Sequence, residues 1–408
     1  MSQFTPVLTA LRRHRGAALL IVCNVALCAA IVCNALHLAG LRLATMLAPS
    51  GWPEDTVLVL NVRAEDEPAQ TQGATTQRDL TLLAALPGVR AAAIGNVVPW
   101  GDSKFRSSVT ANDSPPTQPG VITPVAMQYR ASAGFIETMD LRLVAGRDFT
   151  ATERIRQRDL DYGEPGASPP AAILNAELAR ALFPHGSAVG QTVRTDGAHA
   201  IPVVGVVDGL RDPGPDPTPM AVLLPVTPDY GSGSYLLRIA PAQREAVAQA
   251  AVAALRAAEP RRSVGTPQLL AERRREAERD DRVMAAVFAG VVAALLAVTA
   301  CGIVGLASFW VQQRTRMIGI RRALGATQAD VRRYFQLENA LLTGAGALLG
   351  LAGAQALSLV LKSHWEVPAL PWPYLPLGAL VLMLLGQAAV LAPARRAAGV
   401  APMTALRS

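Results

Sequence analysis

The chain has 408 residues, of which 51% are hydrophobic and 17% charged, and it carries a net charge of +7 with a mean hydropathy of +0.27. Four long uncharged runs within that composition exclude an ordinary soluble globular protein. The arginine excess is gathered beside those runs, which points to membrane topology and away from nucleic-acid binding.

Residues 1–15 form a short basic lead containing Arg12, Arg13 and Arg15, read as a cytoplasmic N-terminus. The first predicted span, residues 16–47, follows; its core at 16–41 has no charged group other than His37. A cleaved signal peptide is the rival reading, but the apolar run is too long and lacks a small-x-small exit. Asn24 and Asn34 within it are expected to hydrogen-bond between helices, because a bare polar group in lipid is costly.

From 48 to 281 the composition becomes water-soluble. Periodicity predicts a strand at 56–62, a helix at 77–86 ended by Pro87-Gly88, and a strand at 89–98. A second β-α-β pattern recurs at 235–239, 241–259 and 263–266. The expectation is a split α+β domain (48–100 and 234–267) interrupted by an inserted subdomain (101–233). The insert has strand-like stretches at 105–112, 124–132 and 201–207, a mixed stretch at 172–183, and a salt-bridged turn at Arg147-Asp148. No cysteine lies in this region, since Cys23, Cys28, Cys33 and Cys301 all fall in apolar runs, so disulfides and cysteine metal sites are excluded there. Residues 268–282 read as a charged stalk, with Glu272 set against Arg273 and Arg275.

The second span is predicted at 283–311. Next comes a basic amphipathic loop, 312–338, with Arg314, Arg316, Arg321, Arg322, Arg332 and Arg333 alternating with Ile318, Ile320, Leu324 and Val331. Gly319 and Gly325 are read as breaks. A short arginine-rich loop between two spans belongs in the cytoplasm. The third span, 339–361, carries Gly346-x-x-x-Gly350, a spacing that lets helices approach closely, within the chain or across a dimer. An external loop at 362–374 holds Trp365 and Trp372, a fourth span runs 375–392, and the basic tail 393–408 is read as cytoplasmic. The fold class is therefore an integral membrane protein of four transmembrane α-helices with a large extracytoplasmic α+β domain.

Residue order in the 312–338 loop resembles MacB/FtsX-type ABC transporter permeases, in which ERTREIGIRRALGA and then F-x-x-E follow the second span. Arg314, Thr315, Arg316, Ile318, Gly319, Ile320, Arg321, Arg322, Ala323, Leu324, Gly325 and Ala326 match, as do Phe335 and Glu338. Gln313 and Met317 stand where the family often has Glu. Stretches at 134–149, 172–184 and 203–207 and the tail from Ala392 to Arg407 also resemble the family. The resemblance implies a MacB-like periplasmic core domain and a loop that contacts a cytoplasmic ABC ATPase subunit. It also implies a second permease subunit (in a homo- or heterodimer), surrounding membrane lipid, a periplasmic adaptor in some members, and residence in the bacterial inner membrane.

Catalytic signals are missing. There is no G-x-x-x-x-G-K-[ST] stretch for a nucleotide. His14, His37, His185, His199 and His364 show no metal-ligand spacing, and no G-x-S-x-G occurs. No catalytic, metal or cofactor site is expected on this chain, with ATP and magnesium held by a separate ATPase. The resemblance then implies a permease subunit that couples ATP hydrolysis to export or extraction of a peptide, drug-like or lipid-linked substrate. The alternative is an FtsX-like regulator of a cell-wall hydrolase. Gln313 and Met317 alone would favour a third reading, a sensor without an ATPase.

Overall fold

The computed structural model describes residues 15–63, 67–101, 103–111, 123–162, 167–195, 200–211, 219–231, 233–365 and 368–399. The predicted ends at 1–14 and 400–408, with Arg12, Arg13 and Arg407, lie outside the described residues, as does His199. The chain divides into an α/β unit, Ala48–Arg279, and a helical unit made of Met1–Leu47 and Asp280–Ser408.

After α1 (Arg15–Leu47), the α/β unit begins with β1 (Val57–Arg63), α2 (Ala69–Ala84) and β2 (Val89–Gly95). The inserted elements follow: β3 (Arg106–Ala111), β4 (Val125–Arg130), α3 (Phe135–Thr138), β5 (Arg142–Gly146), β6 (Ile155–Arg156), α4 (Gln157–Tyr162), β7 (Ala172–Asn175), α5 (Ala176–Leu182), β8 (Thr192–Thr195), β9 (Ile201–Asp208), β10 (Ala221–Leu224) and β11 (Val226–Thr227). The chain then returns through β12 (Ser234–Ile239), α6 (Arg244–Ala258), β13 (Ser263–Val264), β14 (Gln268–Leu269) and α7 (Leu270–Ala277).

The first sheet has the order β13-β1-β12-β2, with β1 antiparallel to both β12 and β13. Neither β-α-β segment therefore places its two strands side by side. β12 separates β1 from β2, and β1 separates β12 from β13, so two split β-α-β units interleave as in a ferredoxin-like sheet. β1 is buried on both faces, which explains its near-continuous apolar run. Leu58, Leu60 and Val62 pack with Leu83 of α2 and Val247, Ala251 and Leu255 of α6. Val57 and Val59 face the opposite way, against Met127, Tyr129, Ile173 and Leu223 of the insert.

In the insert, β9-β7-β10-β4-β3-β8 are neighbours in turn, and β8 pairs back onto β9. These six strands thus close on themselves, and β5, paired only with β9, is left as the edge. Val109, Leu174, Val193, Ile201, Val222 and Leu224 share one core. The buried Asn175 holds three segments together. It caps α5 by accepting from Leu178 N at 3.0 Å, accepts from Ala221 N at 3.0 Å and donates to Leu210 O at 2.9 Å.

Two sequence expectations change here. Arg147 does not pair with Asp148 but grips Glu153 through both Nη atoms at 2.7 Å, while Asp148 caps Phe149 N at 2.6 Å. The turn brings the carboxylate six residues on to the guanidinium fork, while Arg147 reaches only the backbone carbonyl of Asp148, at 3.0 Å. The stalk at 268–282 is not one free helix either. Gln268–Leu269 is a strand on β1, Leu270 and Ala271 are buried, and the helices part at Glu278. Glu272 pairs with Arg244 of α6, not with Arg273 or Arg275, and Arg274 bridges Glu54 at 2.7 Å and Glu278 at 2.6 Å.

Among the described residues, four helices are long and apolar enough to cross a membrane. The remaining elements of the helical unit are α8 (Arg279–Gln313), α9 (Thr315–Ala323), α10 (Gln328–Trp365) and α11 (Tyr374–Ala398). The segment expected as a loop at 312–338 is largely helical: α9 plus the first turns of α10, which begins well before residue 339. Gly346 and Gly350 pack within the chain. A Cβ on Gly346 would sit 2.9 Å from Val22 O and one on Gly350 2.5 Å from Ala26 O, both on α1. Asn34 donates to Ala354 O at 3.0 Å across the same contact, and Ser358 accepts from Leu370 N at 2.8 Å.

Two outcomes test this description. In the α/β unit Arg262 and Asp79 form an ion pair at 1% and 0% side-chain exposure, joined by Tyr235 Oη donating to Asp79 at 3.1 Å. Burial, together with the neighbouring carboxylate, pushes the Tyr235 phenol well above its ordinary range. Arg262→Ala or Asp79→Ala leaves its partner's charge buried and should cost about 3–5 kcal/mol. The readout is the denaturation midpoint of the full-length protein; a loss below about 1 kcal/mol would mean a water-screened pair. For the exposed turn, hydrogen bonds from Arg147 hold the Glu153 carboxyl down at about 2, against an ordinary 4.5. Because its folded value is depressed, its contribution is present above pH 4.5 and fades as pH falls toward 2. Carboxyl-carbon NMR should find that low midpoint, and Arg147→Ala should return it toward 4.5.

Candidate functional site: the basic end of the helical bundle

Four chain segments meet at the arginine-rich end of the helical unit. α8 runs to Gln313 and breaks at Arg314, where the backbone turns to φ −105°, ψ 8°. Thr315 Oγ1 caps the end of α8 by donating to Val311 O at 3.0 Å and Gln312 O at 2.9 Å. α9 then runs for nine residues and stops at Leu324. Gly325 follows at φ +99°, a left-handed position that favours glycine after a helix end. Thr327 and Asp330 start α10 with a reciprocal cap, Thr327 N to Asp330 Oδ2 at 3.0 Å and Asp330 N to Thr327 Oγ1 at 3.2 Å. The stretch Leu-Gly-Ala-Thr-Gln-Ala-Asp is thus a helix stop followed at once by a helix start. Gly319, by contrast, lies buried inside α9 and breaks nothing.

At the centre of this arrangement is a buried ion pair. Arg314, the residue between α8 and α9, donates from Nη1 to both carboxylate oxygens of Glu338 on α10, each at 3.1 Å. Side-chain exposures are 8% and 2%. The guanidinium also lies 5.6 Å from the Trp310 ring centroid, within cation–π range. One residue on, Asn339 donates to Gly386 O of α11 at 2.9 Å. Around the pair, Val311, Ile318, Val331, Tyr334 and Phe335 pack with Ala394, Ala397 and Ala398 of α11. Of α9 itself, Ile318 enters this cluster.

The expected contact residues divide into two sets. Arg314, Ile318 and Gly319 turn inward and are structural. Arg316, Ile320, Ala323, Leu324 and Gly325 are exposed, while Arg322 and Ala326 are half-buried. The side chain of Arg321 lies outside the described residues. Met317 is 41% exposed, Ile320 43% and Leu324 83%, and at i, i+3, i+7 they make one apolar stripe. Arg316, Arg332, Arg333, Arg395 and Arg396 are exposed on the same segments. The site therefore offers a short helix with an apolar stripe and a basic surround. Sequence reasoning left two residues without these roles. In the sequence Met317 is marked only by its departure from the family's usual Glu, and Glu338 only by its place at the start of a span. The signal for Glu338 was available, as the acid that ends the basic segment just before an uncharged run.

Comparison with known proteins agrees with this layout. The MacB-like periplasmic core domain family matches residues 27–257, and the FtsX-like permease C-terminal family matches residues 289–402. The macrolide export ATP-binding/permease protein MacB of Chromobacterium violaceum is 26% identical over 282 residues, covering 67% of this chain and 42% of that protein. The uncharacterized ABC transporter permease YknZ of Bacillus subtilis is 32% identical over 129 residues, covering 31% of this chain and 32% of that protein. The chain thus spans less than half the length of these curated relatives. Among solved structures, the extracellular domain of the noncanonic ABC-type transporter YknZ from Gram-positive bacteria aligns at 17% identity with a TM-score of 0.33, covering 51% of this chain and 99% of that one.

The buried pair yields a quantitative expectation. Arg314→Ala and Glu338→Ala should each destabilise the helical unit by about 3–5 kcal/mol. The double variant should fall short of their sum by more than about 0.5 kcal/mol, the coupling of residues in contact. Unfolding of the detergent-solubilised protein measures both quantities; simple additivity would show that the two charges do not sense each other.

Proposed function

Because this chain belongs to the permease family defined by a MacB-like periplasmic core domain and an FtsX-like permease C-terminal region, we propose that it is the permease subunit of a MacB-type ABC transporter. In this reading a cytoplasmic ABC ATPase docks on the exposed stripe of α9. The observation that carries it is the place of that helix next to the buried Arg314–Glu338 pair: Ile318 faces the apolar cluster, and Met317, Ile320 and Leu324 are left outward. An apolar stripe ringed by arginine suits a partner groove with an apolar floor and an acidic rim.

ATP and magnesium belong to the docked subunit. Its closure displaces α9, and α8 carries the displacement because the two helices are joined at Arg314. A continuous helix of 35 residues rises about 52 Å, enough to cross a bilayer. At its other end α8 connects through Glu278 to α7 of the α/β unit. The work done is mechanical, on the extracytoplasmic side, and the site is no enzyme centre of its own. A second permease subunit completes the transporter in the bacterial inner membrane, with a periplasmic adaptor as a further partner. Relatives named for macrolide and pyoverdine export support an exported small molecule; in this reading the substrate is a peptide, drug-like or lipid-linked molecule that is exported or extracted.

Ile320→Asp combined with Leu324→Asp tests the docking face, since both side chains point outward and the fold does not need them. Co-purification of the cognate ABC ATPase with the wild-type protein should fall at least about ten-fold in the double variant, at unchanged thermal stability of the permease. Equal recovery of the ATPase with wild type and variant would place its contact elsewhere.

A further inference from the structure

The exposed face of α11 passes from apolar to basic along one line. Leu377, Leu380, Leu384, Ala388 and Ala392 are exposed, at the three- and four-residue steps that keep to one helix face. Gly378, Leu382, Gly386, Val390 and Ala394 are buried on the other side. Arg395 continues the exposed line about five turns after Leu377, and Arg396 stands beside it; both are exposed. At 1.5 Å per residue the rise from Leu377 to Arg395 is about 27 Å, close to the roughly 30 Å of a bilayer's hydrocarbon core. Side chains that face lipid along the span thus give way to a guanidinium at the depth where headgroups begin.

The neighbouring helix supplies a third arginine. α10 meets α11 where Asn339 and Thr343 both approach Gly386 and where Gln387 Nε2 donates to Gln336 O at 3.4 Å. Nearer the basic end Val331 and Phe335 share a cluster with Ala394, Ala397 and Ala398, so Arg332 lies level with the last turns of α11. It stands seven residues before Asn339 and eleven before Thr343, spacings that return to the same helix face, and it is exposed. Arg333 is about 100° further round, and there Thr327, with a smaller part from Arg333, holds the Asp330 carboxyl below its ordinary range. Asp330 is the sole acidic residue between Arg314 and Leu337, and residues 393–408 contain none. The next acid, Glu338, is committed to Arg314.

We propose that Arg332, Arg395 and Arg396 bind the phosphate of an anionic phospholipid headgroup, with the lipid's acyl chains lying along the exposed face of α11. Guanidinium forks match phosphate oxygens, and basic sites between membrane-spanning helices recognise such headgroups. The apolar line that leads to Arg395 selects a lipid over a soluble phosphate, which would leave those leucines without a role. The site rests on the membrane spans alone and stands whether or not an ATPase docks on α9.

The test titrates the purified full-length protein in detergent with fluorescent phosphatidylglycerol and with phosphatidylcholine of the same acyl chains. Saturable binding of phosphatidylglycerol, at least about ten-fold tighter than that of phosphatidylcholine, is expected. Arg332→Gln, Arg395→Gln and Arg396→Gln should each weaken it about five-fold, and Arg395→Lys should keep most of it. Arg333→Gln removes the same charge at the same end and should leave binding within about two-fold of wild type. Thermal unfolding checks each variant; should Arg332→Gln or Arg396→Gln fail to fold, Arg395→Gln on the lipid-facing line decides alone. Equal affinity for the two lipids, or a loss with Arg333→Gln as large as with Arg395→Gln, would show diffuse attraction and overturn the site. Displacement of the bound lipid by millimolar glycerol phosphate would assign the arginines to a soluble phosphate and overturn the lipid assignment.

Discussion

Arg314 and Glu338 share a site from which water is almost wholly excluded, and much of the helical unit follows from that. Taking either charge out of water costs several kcal/mol, and their attraction offsets the cost only if each is held within hydrogen-bond reach. The end of α8 must therefore stay beside the first turns of α10. With those two points fixed, the residues between them have little choice of path. They form a two-turn helix, a glycine stop and a Thr-x-x-Asp start, and α9 has to lie across the bundle end. Its inner face then finds Val331, Phe335 and the alanines of α11 waiting.

That constraint assigns opposite jobs to residues that alternate in the chain. Within one helix of nine residues, Ile318 and Gly319 serve the fold, whereas Arg316, Met317 and Ile320 serve the surface. Met317 extends the apolar stripe of Ile320 and Leu324 by one residue.

The same logic of burial organises the α/β unit with different materials. β1 is apolar on both sides because helices cover one face and the insert covers the other. The closed ladder of the insert has one wall buried from within and without, which is why β7 and β10 read as uninterrupted apolar stretches. Two polar groups inside these layers tie distant segments together: Asn175 joins three segments, and Asp79 answers Arg262 and Tyr235. Exposed charges such as Arg147 and Glu153 shape a turn, but water screens them and little of the fold depends on them.

Much of this could be read from residue order alone. Spans declare themselves by length and lack of charge, since lipid tolerates nothing else. The two β-α-β patterns, the position of the insert and the arginine-rich segment between the second and third spans are likewise local signals. The family resemblance rests on the run from Arg314 to Ala326, which is contiguous in the chain. What tertiary structure alone decided is everything that depends on distant partners. Periodicity could not show that β12 slips between β1 and β2, because strand order is a property of pairing. It could not match Arg147 with Glu153 or Glu272 with Arg244, because a guanidinium chooses by distance in space. Gly346 and Gly350 advertised a close approach, but only packing identified α1 as the neighbour. Nor could the chain by itself separate Arg314 from Arg316. They are the same residue type two positions apart, and only the carboxylate of Glu338, 24 residues on, makes one a buried strut and leaves the other on the surface.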